Sequence, residues 1–385
     1  MRLLFLLLIK GALCAEAKNM GKIEISKEIF ELREIFDPLQ QTSFSLVEIL
    51  KVNPFGKINV VVGKIRFGSK TCILKEVPPY CASIPFLETV LFFRESLRKN
   101  GLPIPAYIST HNRKKYAVLN FKNKKQKIYL LEEFIKGKVW NKEPLQISSM
   151  ALTLARVHRI SSDLFLYNKG NLTDFQQKLS LLPKKSVFDV ALRITNVALE
   201  VLENKNTIST QEIKAVRAFI QQCQERLSSI KKSALNKGYE KTVIPIHGDY
   251  NPTNIIFNNK NEVIGIIDFD DCCLDNPIHD LITALLCMFY FTFEKQDNLT
   301  LGTEQTDEIL RKTHLFSSVY FKNSFIQEKQ IAPYLEEATE ALAIQSLALY
   351  LIKGLYTDYL EVNSLLKHVD KVKKIIKNAV LLYKE

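Results

Sequence analysis

The sequence predicts an α+β fold: a small, strand-rich N-terminal part followed by a large helical C-terminal part. Two observations predict it. Short β-prone runs separated by glycine or basic turns fill residues 42–135. From Ile147 onward, apolar residues recur at three- and four-residue steps. A third observation is an interruption: Ile244 to Leu285 breaks the helical part with two short apolar strands around a turn.

The N-terminus comes first. Leu3 to Ile9 is a seven-residue apolar run, cut short by Lys10 and followed by small residues from Ala12 to Ala17. This resembles a secretory signal but is too short to span a bilayer. Met20 precedes a plausible native start, Gly21-Lys22-Ile23-Glu24-Ile25. An export signal and an upstream extension over residues 1–19 therefore remain competing readings.

In the strand-rich part, Val60-Val61-Val62, Cys72-Ile73-Leu74 and Tyr116-Ala117-Val118-Leu119 read as strands. A helix is expected from Ile84 to Lys99, stopped by Asn100-Gly101 and Pro103. Lys122 to Lys127 reads as a solvated hairpin tip. Gly63 to Thr71 almost spells a P-loop, but its lysine is one place late and strands lie on both sides; Gly68-Ser69 reads instead as a hairpin turn. Helices are expected over Ser148–Ile160, Val187–Glu203, Gln211–Ile230, Pro333–Glu361 and Ser364–Tyr383. Ser209 and Glu212 form a capping box for the third. Lys295 to Thr306 is polar and interrupted and reads as a loop. The expected division is an extension at 1–19, a strand-rich lobe at 20–135 and a helical lobe at 136–385.

Composition narrows the function classes. With 46% apolar and 24% charged residues the chain is an ordinary globular protein, which excludes collagen, repeat fibres and wholesale disorder. The formal charge of +12 permits phosphates, nucleic acid or anionic lipid as partners, but the lysines are spread along the chain and read as a solvated surface. No aromatic-rich basic stripe is present, so nucleic acid is not an expected partner. The seven cysteines form no CxxC pair and the six histidines no HExxH or C2H2 pattern, which argues against zinc and a disulfide scaffold. Reduced thiols are expected.

The chemistry is concentrated in His247-Gly248-Asp249-Tyr250-Asn251-Pro252-Thr253-Asn254-Ile255-Ile256-Phe257, a turn over Asn258 to Asn261, and Val263-Ile264-Gly265-Ile266-Ile267-Asp268-Phe269-Asp270-Asp271. An antiparallel hairpin would bring Asn254 beside Asp268. Their carbonyl and carboxylate oxygens suit Mg2+, which keeps some waters and binds phosphates. Asp249, in the loop before the first strand, would accept a proton from an attacking hydroxyl. Asp and Asn are also common turn formers; it is the joint pattern that carries the reading.

These residues resemble the catalytic segment of the aminoglycoside phosphotransferase and choline kinase-like superfamily, and Asp268-Phe269-Asp270-Asp271 resembles its homoserine kinase-like branch most. The resemblance covers about residues 42–290. It implies a bilobal protein-kinase-like fold with a small β-rich N-lobe and a large helical C-lobe. It also implies Asp249 as catalytic base, Asn254 and Asp268 as Mg2+ ligands, His247 as a prop of the catalytic loop and Asp280 as a structural carboxylate at a helix start. In the N-lobe it implies Lys75 as the lysine that grips the nucleotide phosphates, with Glu88, ahead of Glu95, as its partner. Main-chain groups of Glu133, Phe134 and Ile135 would hold the adenine edge. His158 reads as a packed helix histidine. The phosphate-covering loop departs from GxGxxG, having only Gly56 and Gly63 with Asn59 between.

The resemblance thus implies a kinase that uses ATP and Mg2+ to phosphorylate a small-molecule hydroxyl. Asp270, Asp271 and Asp275 are candidates to bind an acceptor amine, or to cap the hairpin end. A +12 protein repels polycations at long range, so an amino alcohol, a sugar-like metabolite or a homoserine-like acceptor is favoured over an aminoglycoside. Dependence on ATP favours the cytosol and a start at Met20. The alternative is a kinase-like regulatory protein that binds nucleotide without turnover.

Overall fold

The computed structural model describes residues 31–36, 44–55, 58–120, 126–166, 174–203, 210–292 and 303–352. The N-terminal extension, the tip of the hairpin after Asn120, Ser209 of the capping box, the turn at Gly56 and the last expected helix lie outside the described residues. Contacts group the chain into a sheet unit, Arg2–Val139 with Asn254–Asp270, and a helical unit, Trp140–Thr253 with Asp271–Glu385. The fold is α+β, as the sequence predicts.

The elements run in order. The sheet unit supplies β1 (Phe44–Phe55), β2 (Ile58–Phe67), β3 (Lys70–Glu76), α1 (Ile84–Lys99), β4 (Ala117–Asn120) and β5 (Gln126–Glu133). The helical unit follows with α2 (Pro144–Leu166), α3 (Asp174–Leu179), α4 (Val187–Glu203), α5 (Thr210–Asn236) and β6 (Ile244–Ile246). The hairpin β7 (Ile255–Phe257) and β8 (Val263–Ile266) returns to the sheet unit. The chain then resumes the helical unit with β9 (Cys273–Asp275), α6 (Ile278–Thr292), α7 (Thr303–Asn323), α8 (Glu328–Ile331) and α9 (Leu335–Ile352).

In the sheet unit five antiparallel strands lie in the order β1-β2-β3-β5-β4. The β2–β3 turn is Gly68-Ser69 between paired Phe67 and Lys70, and Gly68 has φ +62. A two-residue hairpin loop needs that positive φ, so the P-loop-like spelling is a turn. Strand β5 is buried on both faces: Tyr129 and Leu131 pack with Cys72 and Leu74 on one side, Ile128 and Leu130 with Leu87 and Leu91 of α1 on the other. That is why it reads as a continuous apolar run rather than an alternating one. Helix α1 ends as its sequence predicts. Gly101 takes φ +81 and the Leu102 amide returns to the Leu97 carbonyl, a left-handed C-terminal cap.

In the helical unit α9 packs along α4, α5 and α6, and α2 packs on α7 and β6. Strand β6 pairs antiparallel with β9, Ile246 opposite Cys273. Helix α4 has the expected bounds. Beside the short α3 and α8, two longer helices are not legible from periodicity. Helix α6 is apolar on nearly every face, with Leu281, Ile282, Ala284 and Leu285 all fully buried, so it shows no stripe. Helix α7 begins at Thr303, inside the stretch expected as loop. Its buried face, Ile309, Thr313, Phe316, Ser317 and Tyr320, recurs at helical spacing but is half polar. Among the described residues no helix is long and apolar enough to cross a membrane, and all six described cysteines are buried thiols.

Candidate active site

The sheet unit brings one set of predicted residues together. Lys75 sits near the end of β3, paired with Val62 of β2 and Leu130 of β5. Its Nζ lies 2.6 Å from Asp268 Oδ1 and 2.7 Å from Asp270 Oδ1. Burial alone would lower the lysine pKa; the fields of Asp268, Asp270 and Glu132 overcome it and hold the ammonium above the ordinary lysine range. The pair of carboxylates is placed by the hairpin. Ile255 pairs with Ile266, and the Ile267 amide donates to the Asn254 carbonyl at 2.9 Å. Asn254 therefore stands opposite Ile267, one residue before Asp268, close to the expected register. The turn is closed by Asn258, whose Oδ1 accepts from the Lys260 and Glu262 amides at 2.8 and 2.9 Å.

Two local features fix this arrangement. Asp268 adopts φ +64, a left-handed conformation that costs a residue with a side chain on the order of 1 kcal/mol. Cys81, in a short 3-10 turn after β3, donates its Sγ hydrogen to the Asp270 carbonyl at 3.3 Å. The chain leaving β5 is clamped to the hairpin, where the Lys138 amide donates to the Phe257 carbonyl at 2.7 Å. At Gly137 an added Cβ would lie 2.7 Å from the Phe257 carbonyl oxygen, so this close approach needs glycine.

The helix partner expected for Lys75 is different. Glu88 is exposed on α1 and its Oε1 accepts a hydrogen bond from the Tyr116 hydroxyl at 3.1 Å. Glu95 pairs with Arg98 and Lys115. The buried stripe of α1 runs through Leu87, Val90, Leu91, Arg94 and Leu97, which turns both glutamates away from Lys75. Lys75 takes its partners from the hairpin instead, and the residue α1 sends inward is Arg94. Asp270, expected to meet an acceptor amine or cap the hairpin, is committed to Lys75. At the expected adenine edge, the Glu133 amide donates to Ala106 at 3.0 Å and the Phe134 amide to Thr71 at 3.3 Å, both within the sheet unit. Lys64 Nζ lies 4.6 Å from the centroid of the Phe134 ring, and Ile135 is half-buried.

The helical unit holds the second set. The His247-Gly248-Asp249 loop leaves β6, and the Asp280 carboxylate gathers it. Asp280 Oδ2 accepts the His247 amide at 2.9 Å and Oδ1 accepts the Gly248 amide at 2.8 Å. Asp280 Oδ2 also meets His158 Nε2 at 3.2 Å, and His158 Nδ1 lies 2.7 Å from the Tyr320 hydroxyl. His158 is thus the packed histidine expected, tied into the loop's support. Gly248 has φ +79, and a Cβ there would lie 2.0 Å from the Asp271 carbonyl oxygen, so the loop admits only glycine. The His247 imidazole is fully buried; its Nδ1 accepts the Asp249 amide at 3.3 Å and its ring meets Tyr250 edge-on. Asp249 Oδ1 accepts from Asn251 Nδ2 at 2.9 Å. Asn251, whose own Oδ1 accepts the Thr253 amide at 3.0 Å, was missed in the sequence; its only signal is Asp-x-Asn spacing. Asp271 is half-buried, and Asp275 is buried against His279 Nδ1 at 2.9 Å.

Burial works against ionisation of Asp280, but its His158 hydrogen bond and the fields of His158, His247 and His279 hold its pKa below the usual carboxylate range. A depressed folded pKa stabilises the protein fully above the unfolded value, about 3.9, and that contribution is lost as pH falls through the lower folded value. Asp280→Asn is expected to cost on the order of 2 kcal/mol at neutral pH. The gap in urea midpoint between wild type and variant should be flat from neutral pH to about 5 and close only below about 4.

No cluster of three or more His, Cys, Asp or Glu suited to a metal occurs among the described residues. Asn254 and Asp268 are nonetheless a hard-oxygen pair at the ends of one hairpin, and that donor chemistry suits a cation that keeps several waters.

The sequence matches the model of the Phosphotransferase enzyme family over residues 68–316. A comparison with curated proteins gives no significant match. Among solved structures, an amicoumacin kinase in complex with AMP-PNP, Ca2+ and Ami superposes with a TM-score of 0.59 at 12% identity, over 91% of this chain and 93% of that one. A spectinomycin phosphotransferase in complex with ADP and spectinomycin gives 0.56 at 16% identity, over 92% and 98%. Choline kinase from Cryptosporidium parvum Iowa II gives 0.53 at 15% identity, over 93% and 98%. These likenesses are of fold, and they are to kinases and phosphotransferases of small molecules. The match spans well over half of the chain, and the chain therefore belongs to the Phosphotransferase enzyme family.

Proposed function

We propose that the chain transfers the γ-phosphoryl group of ATP to a hydroxyl of a small acceptor: an amino alcohol, a sugar-like metabolite or a homoserine-like alcohol. The observation that carries this reading is the Lys75 ammonium held between the Asp268 and Asp270 carboxylates. A part-buried cation with two acidic partners in a phosphotransferase is suited to nucleotide phosphates. Lys75 would bind the α- and β-phosphates, and main-chain groups over Glu133 to Ile135 would receive the adenine edge. Asn254 and Asp268 would hold Mg2+, which supplies neutralisation of phosphate charge when bound. Asp249 would take the proton of the acceptor hydroxyl. The acceptor oxygen bonds to the γ-phosphorus, the bond to the β-phosphate oxygen breaks, and ADP leaves. Asp280 and Asn251 act on Asp249 through the loop they hold, and the chain contributes mainly position and charge.

The acceptor class follows from charge. The net +12 disfavours polycations at long range, and with Asp270 taken by Lys75, Asp271 is the remaining candidate of the hairpin pair for an acceptor amine. Of the solved relatives reported above, choline kinase is named for an amino alcohol, and the other two are named for amicoumacin and spectinomycin. Need of ATP places the reaction in the cytosol. The test is a panel of amino alcohols, sugars and homoserine with ATP and Mg2+, read by ADP release and 31P NMR. One class should give a saturable phosphomonoester that Asp249→Ala abolishes. ADP release no greater than that of Asp249→Ala on every class, from a protein that binds AMP-PNP, would leave the non-catalytic reading in place.

A further inference from the structure

Arg94 is the one strongly basic residue that α1 directs inward, and it is 3% exposed. Its guanidinium forks onto Glu132, Nη1 to Oε1 at 3.1 Å and Nη2 to Oε2 at 3.0 Å. Nη2 also donates to the Pro105 carbonyl at 3.4 Å. Nη1 bonds the Tyr107 hydroxyl, and the guanidinium lies 4.1 Å from the centroid of that ring. It lies 5.2 Å from the centroid of Phe269, which Phe93, the neighbour of Arg94 on α1, meets edge-on at 6.4 Å. Phe269 separates Asp268 from Asp270, the two carboxylates on Lys75. Glu132 is the residue before Glu133, where the proposed adenine edge begins, and its charge acts on Lys75.

A buried ion pair is seldom needed for stability, because apolar residues of similar volume often serve as well or better. Asp268, by contrast, has a conformation that must be held. Lys75 holds its carboxylate and Cys81 the carbonyl of Asp270, and the ring between the two carboxylates meets Arg94 and Phe93. We propose that Arg94 is a positioning residue: clamped by Glu132 and Tyr107, it fixes Phe269 and so sets the Asp268 and Asp270 carboxylates for the metal–nucleotide complex. This rests on the phosphotransferase reading above. Lysine cannot replace it, because a point charge offers neither the planar fork nor the flat face.

The test uses the full chain and AMP-PNP titrated by calorimetry with Mg2+ and with EDTA. The quantity read is the Mg2+-dependent gain in affinity. Arg94→Lys is expected to reduce that gain by roughly 10- to 100-fold, with affinity in EDTA unchanged. Because Arg94 and Phe269 are both buried, the urea midpoint should fall as well, and each variant is compared with wild type at a temperature where it is fully folded. Phe269→Leu should do the same, and the double variant should be no worse than the weaker single, since both break one linkage. Tyr107→Phe, which removes one hydroxyl, should show a smaller loss in the same direction and carries the test if Arg94→Lys does not fold. A wild-type gain in folded Arg94→Lys or Tyr107→Phe overturns the inference, as does a loss that follows only the fraction unfolded. Wild type that binds AMP-PNP no better with Mg2+ than without overturns the phosphotransferase reading, and this inference with it.

Discussion

Replacing Asp249 by Asn is expected to lower kcat for phosphoryl transfer by roughly 10^2- to 10^4-fold and to leave AMP-PNP binding intact. The two side chains have nearly the same shape, and the Asn carbonyl can still accept from Asn251 Nδ2, as Asp249 Oδ1 does at 2.9 Å. The loop is held from beneath by Asp280 through the His247 and Gly248 amides, so its path should survive. What is lost is the capacity to take a proton. Rapid-quench turnover with the acceptor found in the panel, beside AMP-PNP calorimetry, separates the two quantities. A variant that keeps its kcat would show that Asp249 is not the base.

Lys75→Met should weaken AMP-PNP binding by roughly 10^2-fold or more, the usual cost of deleting one member of a buried charge pair. The lysine serves two ends of one electrostatic arrangement. In the absence of nucleotide it neutralises Asp268 and Asp270, side chains 17% and 10% exposed. Removing it leaves two carboxylates crowded together, so stability should fall as well, by on the order of 3 kcal/mol. Lys75→Met/Asp270→Asn relieves that repulsion. It should recover much of the stability without recovering nucleotide affinity, which distinguishes loss of the phosphate contact from loss of the fold. Because the ammonium is held above its ordinary range by ionised carboxylates, its contribution to stability should be full from neutral pH up to about 10.4, the unfolded value, and decline at higher pH.

Much of this was legible in the sequence because it is local. Gly68-Ser69 spells a two-residue turn, Asn100-Gly101 a helix stop, and Asn254 to Asp268 a hairpin whose ends must be neighbours; each is decided within a short local stretch of chain. The helix at Val187–Glu203 is strongly amphipathic and its bounds follow. What was not legible depends on side chains far apart in the chain. That Asp270 joins Asp268 on Lys75 is a meeting across 195 positions, and no spacing rule reaches it. The Glu88 expectation failed for a local reason that was available. The apolar stripe of α1 already places Glu88 on the outer face, but the resemblance to a helix that carries a glutamate outweighed the periodicity. Arg94 was invisible for the converse reason, a charged residue lying within an apolar stripe. The start of helix α6 near Asp280 came from the resemblance alone, because burial on all sides removes the period that marks an amphipathic helix.

If Asp268 serves the metal–nucleotide complex from the end of that hairpin, Mg2+-dependent nucleotide binding must fail without its carboxylate. The most direct test is AMP-PNP binding to wild type and Asp268→Asn, each with Mg2+ and with EDTA. Wild type should bind one nucleotide with affinity that collapses on chelation, and Asp268→Asn in Mg2+ should bind no better than wild type in EDTA. An Asp268→Asn protein that retains the full Mg2+-dependent affinity would contradict it.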